Sequence, residues 1–195
     1  MLSLNRVKLP RIGSLTLGDD GLIELKNRPL ILQLQTFENE GILAIPRNSI
    51  YHYVEPHILC ILQLHDNRIH HQPNAVHDLQ NGQEQFAALT MMFGLLPQFI
   101  PRQYRDGPFV LTLTNLHASN TFVDENWHIT SLIDLEWAFS SPIELQMPPY
   151  WLTGRPIDDL EHGKHLDTFQ EVMAEFIKAF EEQEKKSSDF RSLSG

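Results

Sequence analysis

Cys60 is the only cysteine among 195 residues, so an internal disulfide is excluded and a reducing compartment such as the cytosol is expected. Its neighbours Leu59 and Ile61 point to a packed thiol rather than a nucleophile. No apolar run approaches the roughly 18–20 residues of a membrane helix. The opening MLSLNRVKLPRIGS lacks the apolar block and small-residue cleavage site of a secretory signal. Positive charge is scarce as well: 15 Lys and Arg face 25 Asp and Glu, and the net charge of −10 argues against a nucleic-acid surface. Neither G-x-G-x-x-G nor G-x-x-x-x-G-K-[ST] is present, so no phosphate-cradling glycine loop is legible. The lack of G-x-S-x-G leaves Ser119 without a nucleophile elbow, which removes the basis for a serine hydrolase. His65, His70, His71 and His77 do not repeat a zinc-ligand spacing and read as polar loop residues.

What is present describes a folded chain. A hydrophobic fraction of 42% with 21% charged residues is that of a globular protein, and the length suits one domain. IGSLTL and LIEL flank Gly18-Asp19-Asp20-Gly21, a hairpin signal. Residues 26–50, with Pro29, Pro46 and a polar stretch from Glu38 to Gly41, read as mostly irregular. Tyr51 to Leu64 suits a buried helix, and Asp66 to Asn81 a loop rich in His and Asn. From Gly82, Phe86, Leu89, Met92, Phe93 and Leu96 recur at helical spacing up to Pro97. Phe109 to Leu113 favours a strand. The Pro-rich passage from Pro142 to Pro156 cannot be one helix. Leu166, Phe169, Val172, Met173, Phe176, Ile177 and Phe180 then mark the apolar face of a long helix, with Glu171, Glu175, Glu181, Glu182 and Glu184 on its solvated side.

The chemistry concentrates in Leu111 to Asp134, LTLTNLHASNTFVDENWHITSLID, which reads as a strand, a polar loop and a hairpin that returns Asp134 beside the loop. A loop carrying Asn115 and Asn120, followed by a hairpin ending in Asp134, can gather oxygen donors around a hard cation. An Asn and an Asp near strand ends are more often turn and capping groups. His117 lies inside the loop and is placed to orient it by hydrogen bonds. Trp127, Trp137, Tyr150 and Trp151 suit either packing or stacking on a ligand ring.

Asn115-Leu116-His117-Ala118-Ser119-Asn120, a hairpin, and Ile133-Asp134-Leu135-Glu136 together resemble the Asp-x-x-x-x-Asn and Ile-Asp-x-Glu pattern of the kinase-like aminoglycoside and choline phosphotransferases. Arg11-Ile12-Gly13-Ser14-Leu15, Asn27-Arg28-Pro29-Leu30, Gly107-Pro108-Phe109-Val110-Leu111 and Pro148-Pro149-Tyr150-Trp151-Leu152-Thr153-Gly154 are similar to stretches of the fungal branch of that superfamily. The likeness runs from about Leu9 to Glu184. It implies an α+β, mostly helical C-terminal lobe with a small hairpin-based sheet carrying the cleft, over residues 9–184, with 1–8 and 185–195 as tails. It further implies ATP-dependent phosphoryl transfer to a small-molecule hydroxyl, with Asn120 and Asp134 as Mg2+ ligands and residue 115 as the proton acceptor. At that position the family carries Asp and this chain carries Asn115. An amide oxygen is a very poor proton acceptor, and loss of a positioned base costs ~10²–10⁴ in rate. The family's Gly-rich loop and strand lysine belong to an N-terminal lobe for which nothing before Leu9 suffices. The expectation is therefore a truncated, weakly active or inactive phosphotransferase lobe that would use ATP only if a nucleotide lobe were supplied. A non-catalytic binding or scaffold domain is the alternative.

Overall fold

A computed structural model describes residues 2–42, 45–160 and 163–192. The fold is mixed α+β, 49% helical and 17% strand, with small antiparallel sheets. In chain order come β1 (Lys8–Leu9), β2 (Ser14–Leu17), β3 (Ile23–Asn27), α1 (Leu32–Asn39), α2 (Val54–His71) and α3 (Leu79–Phe99). They are followed by β4 (Phe109–Leu113), β5 (Thr121–Val123), β6 (Ile129–Leu132), β7 (Ala138–Pro142) and α4 (Lys164–Ser192). Two compact units result: Ser3–Asn115 with Asp134–Gln146, and Leu116–Ile133 with the chain from Met147 onward. Among the described residues, no helix is long and apolar enough to cross a membrane.

The first unit is built on the antiparallel sheet β1-β4-β7 and the hairpin β2-β3. Phe109, Val110, Phe139 and Leu96 are buried there with Ile12, Val54 and Ile100. Burial along β4 falls from Phe109 and Val110 to the half-buried Leu111, Thr112 and Leu113. The ladder thus has a core end, Phe109↔Pro142, and an open end, Leu113↔Ala138. The Ile12-Gly13-Ser14 stretch locks this sheet. Ile12 and Tyr51 exchange backbone hydrogen bonds at 2.8 and 2.9 Å, and Ser14 Oγ donates to the Ala138 carbonyl at 3.0 Å while accepting the Leu30 N–H at 2.9 Å. A side chain at Gly13 would come within 2.8 Å of both the Asn27 carbonyl oxygen and Ile50 Cγ2, so only glycine permits this approach.

Three segments correct the sequence expectations. Within residues 26–50, α1 forms because Leu34 and Phe37 bury into a cluster with Ile42, Ile45 and Leu64. The expected loop from Asp66 is helical to His71. Asp66, Asn67 and His70 make (i, i+3) and (i, i+4) contacts on its solvated face, and Arg68 reaches Gln85 on α3. Helix α3 begins at Leu79, ahead of Gly82, because the Asp78 carboxylate accepts the Asn81 N–H at 2.8 Å as an N-cap. Pro97 falls in the last turn of α3, where its missing N–H removes a single bond.

The second unit contains the hairpin β5-β6, short 3-10 turns at Tyr150–Thr153 and Ile157–Leu160, and α4, which packs on both turns. The apolar positions expected on α4 are half-buried, and Ile177 is exposed. Of the segments read as tails, Leu4–Arg6 makes a 3-10 turn, Lys8 pairs with Val110, and the backbone of 185–192 continues α4.

Candidate functional site

Asn115 and Asp134 belong to the first unit: Asn115 lies two residues beyond the last residue of β4, and Asp134 four residues before the first residue of β7. Just beyond the last strand pair, Thr114 donates its N–H at 2.8 Å and its hydroxyl at 2.9 Å to the Trp137 carbonyl. Those two bonds tie the chain just past β4 to the chain just ahead of β7. Asn115 follows directly, half-buried and engaged with neighbours. Asp134 is exposed and sits at φ 56°, the left-handed region, which costs most side chains about 1 kcal/mol and which Asp tolerates better than most. Among the described residues its carboxylate forms no ion pair or hydrogen bond. Trp127, at φ 64° on the turn between β5 and β6, is the other described non-glycine residue in the left-handed region.

Asn120 belongs to the second unit and is buried. It closes the 3-10 turn Ala118–Asn120, donating its N–H to the His117 carbonyl at 3.0 Å and accepting the Ile133 N–H at 3.1 Å. The second bond ties the end of β6 back to the loop, as a returning hairpin requires. The Ser119 hydroxyl donates to Asn120 Oδ1 at 3.4 Å. His117 Nδ1 accepts the Ser119 N–H at 3.3 Å, which assigns the neutral ring its proton on Nε2. The His117 ring centroid lies 6.2 Å from that of Tyr150 and 5.7 Å from that of Trp151, and Trp151 Nε1–H donates to the Leu116 carbonyl at 2.7 Å. Of the four aromatics singled out in sequence, Tyr150 and Trp151 therefore wall the loop. Trp127 is exposed on the hairpin turn, and Trp137 stands by Thr114 in the first unit. At that turn Asp124 accepts the backbone N–H groups of His128 and Asn126, which hold its carboxyl below the usual range.

Asn120 and Asp134 offer an amide oxygen and a carboxylate, the hard donors that magnesium takes when phosphate and water complete its shell. They fall in different compact units, whereas Asn115 and Asp134 share one. Among the described residues, no three His, Cys, Asp or Glu side chains gather as a metal site. Of the histidines read as loop residues, His65, His70 and His71 lie on α2 instead: His65 packs edge-on against Phe37, and His70 lies beside Asp66.

Sequence reasoning passed over His57, which is 1% exposed between Tyr51 and Phe139. Burial pushes its pKa down to about 4, and among the described residues Nδ1 has no hydrogen-bond partner. Its position on the buried stripe of α2, three residues after Val54, was the available signal. No family model matches this chain, and no curated protein or solved structure is significantly similar to it.

Proposed function

We propose that this chain is the acceptor-side lobe of a kinase-like phosphotransferase fold, retaining cation and ligand binding while its phosphoryl transfer has weakened or lapsed. The observation that carries this is that Asn115, just past β4, and Asp134, just ahead of β7, belong to one compact unit, with the Asp134 carboxylate exposed on a left-handed backbone. The strand, loop and hairpin in that order support it.

In this scheme Asp134 would be the carboxylate that takes Mg2+, which when bound would neutralise charge on a nucleotide's phosphates, and the family resemblance gives Asn120 the role of an amide ligand. Residue 115 faces a small-molecule hydroxyl. Asn115 can orient that hydroxyl through its amide but cannot take its proton at a useful rate, which leaves positioning as its contribution. ATP would come with a nucleotide-binding lobe. The same amide favours a second function, a non-catalytic binding or scaffold domain with a residual cation site.

Titration with Mn2+, a paramagnetic stand-in for Mg2+, tests the cation site. The side-chain resonances of Asp134 and Asn120 are expected to broaden first, and Asp134→Ala should abolish the effect. Broadening that instead follows Glu171, Glu175 and Glu181 on α4 and survives Asp134→Ala would overturn the assignment.

A further inference from the structure

The second unit contains a short relay that ends on Asn120. His117 Nδ1 receives the Ser119 N–H at 3.3 Å, and the Ser119 hydroxyl, also 3.3 Å from Nδ1, donates to Asn120 Oδ1 at 3.4 Å. One hydroxyl proton cannot serve both acceptors, so while it is given to Oδ1 the Nδ1 lone pair belongs to the Ser119 backbone. The His117 carbonyl takes the Asn120 N–H at 3.0 Å and the Thr121 hydroxyl at 3.2 Å. Both polar ends of His117 therefore hold the turn on which the Asn120 amide stands, and its ring is lodged against Tyr150 and Trp151.

We propose that His117 is a positioning residue. Its Nδ1 lone pair holds the Ser119 backbone, and the Ser119 hydroxyl is one of the contacts that keep the Asn120 amide oxygen in the rotamer that would serve a cation. The inference rests on the role given to Asn120 above. Groups that hydrogen-bond a metal ligand typically change metal affinity about 10–100-fold when removed. The lone pair and the ring make separable contributions. His117→Phe keeps a ring against Tyr150 and Trp151 but has no acceptor. His117→Asn loses the ring but restores a side-chain acceptor that suits the first position of a turn.

The first measurement is made without metal, on three-bond couplings that report the Asn120 χ1 rotamer. Wild type and His117→Asn should show a single rotamer, and His117→Phe and Ser119→Ala should show averaging. The second is Mn2+ broadening at Asn120, which should require about tenfold more Mn2+ in His117→Phe and Ser119→Ala and recover in His117→Asn. A single rotamer in His117→Phe, or averaging in His117→Asn, would overturn the relay by assigning the loop's order to ring packing. Rotamer averaging as expected, with no Mn2+ effect at Asn120 in wild type, would uphold the positioning role and defeat the cation site instead.

Discussion

At position 115 one atom separates two chemistries. An aspartate there could accept a proton from a hydroxyl; the amide of Asn115 can only hold the hydroxyl in place. Because positioning and electrostatics dominate a loose phosphoryl transition state, geometry preserved without the base leaves a small rate to recover. Joined to a nucleotide-binding lobe, the Asn115→Asp chain should phosphorylate hydroxyl compounds ~10²–10⁴ faster than the native chain, read by 31P NMR with ATP. No gain across a broad acceptor panel would count against the role assigned to residue 115. Part of this was legible in the bare sequence, since Asn115, Asn120 and Asp134 flank a strand and a hairpin that form as the pattern suggests. Their division between two compact units was not, because that depends on contacts between residues far apart in the chain.

Among the elements, the ones written locally were the ones that sequence could give. Strand β4 starts and ends at Phe109 and Leu113 as expected, and the Gly18–Gly21 turn sits between β2 and β3, with Gly21 at φ 77°. The long apolar period predicted α4. Helix α1 escaped because only Leu34 and Phe37 mark its buried side, and its anchor lies outside it. Arg28, 4% exposed, forks onto both carboxylate oxygens of Glu38 on α1 and also reaches the Ile45 carbonyl. That pairing lowers the Glu38 pKa against the opposing effect of burial. Arg28→Ala should destabilise the first unit by about 3 kcal/mol, because it removes the cation and leaves the Ile45 carbonyl without its partner. Lysine should restore little of this, lacking the planar fork. Urea unfolding together with hydrogen exchange on α1 would read the loss, and a change below about 0.5 kcal/mol would contradict the anchoring role. Within the Asn27-Arg28-Pro29-Leu30 stretch, Arg28 thus has a packing role.

For the molecule as a whole, acid is the condition to which this fold should answer. His57 stays neutral in the folded first unit down to about pH 4, while in the unfolded chain it takes a proton near its ordinary value of 6.5. Between those values the unfolded state binds more protons, so stability falls as pH falls. The loss from this residue is about 2 kcal/mol between pH 7 and pH 5. The depressed carboxyls of Glu38 and Asp124 add their own losses only at lower pH, as they become protonated. Hydrogen exchange of the α2 amides at pH 7 and pH 5 should show the decline, and His57→Phe, which keeps a ring between Tyr51 and Phe139, should flatten it. An unchanged slope in that variant would place the acid sensitivity elsewhere.

The left-handed backbone at Asp134 carries a consequence for how this chain would drift over many generations. Glycine would relax that bend, and the exposed Asp134 carboxylate makes no ion pair or hydrogen bond among the described residues that its removal would break. Asp134→Gly should therefore leave the stability of the fold unchanged or slightly raised. If Asp134 has the task proposed for it, descendants released from that task should show glycine at this bend before they show changes in the β4–β7 ladder.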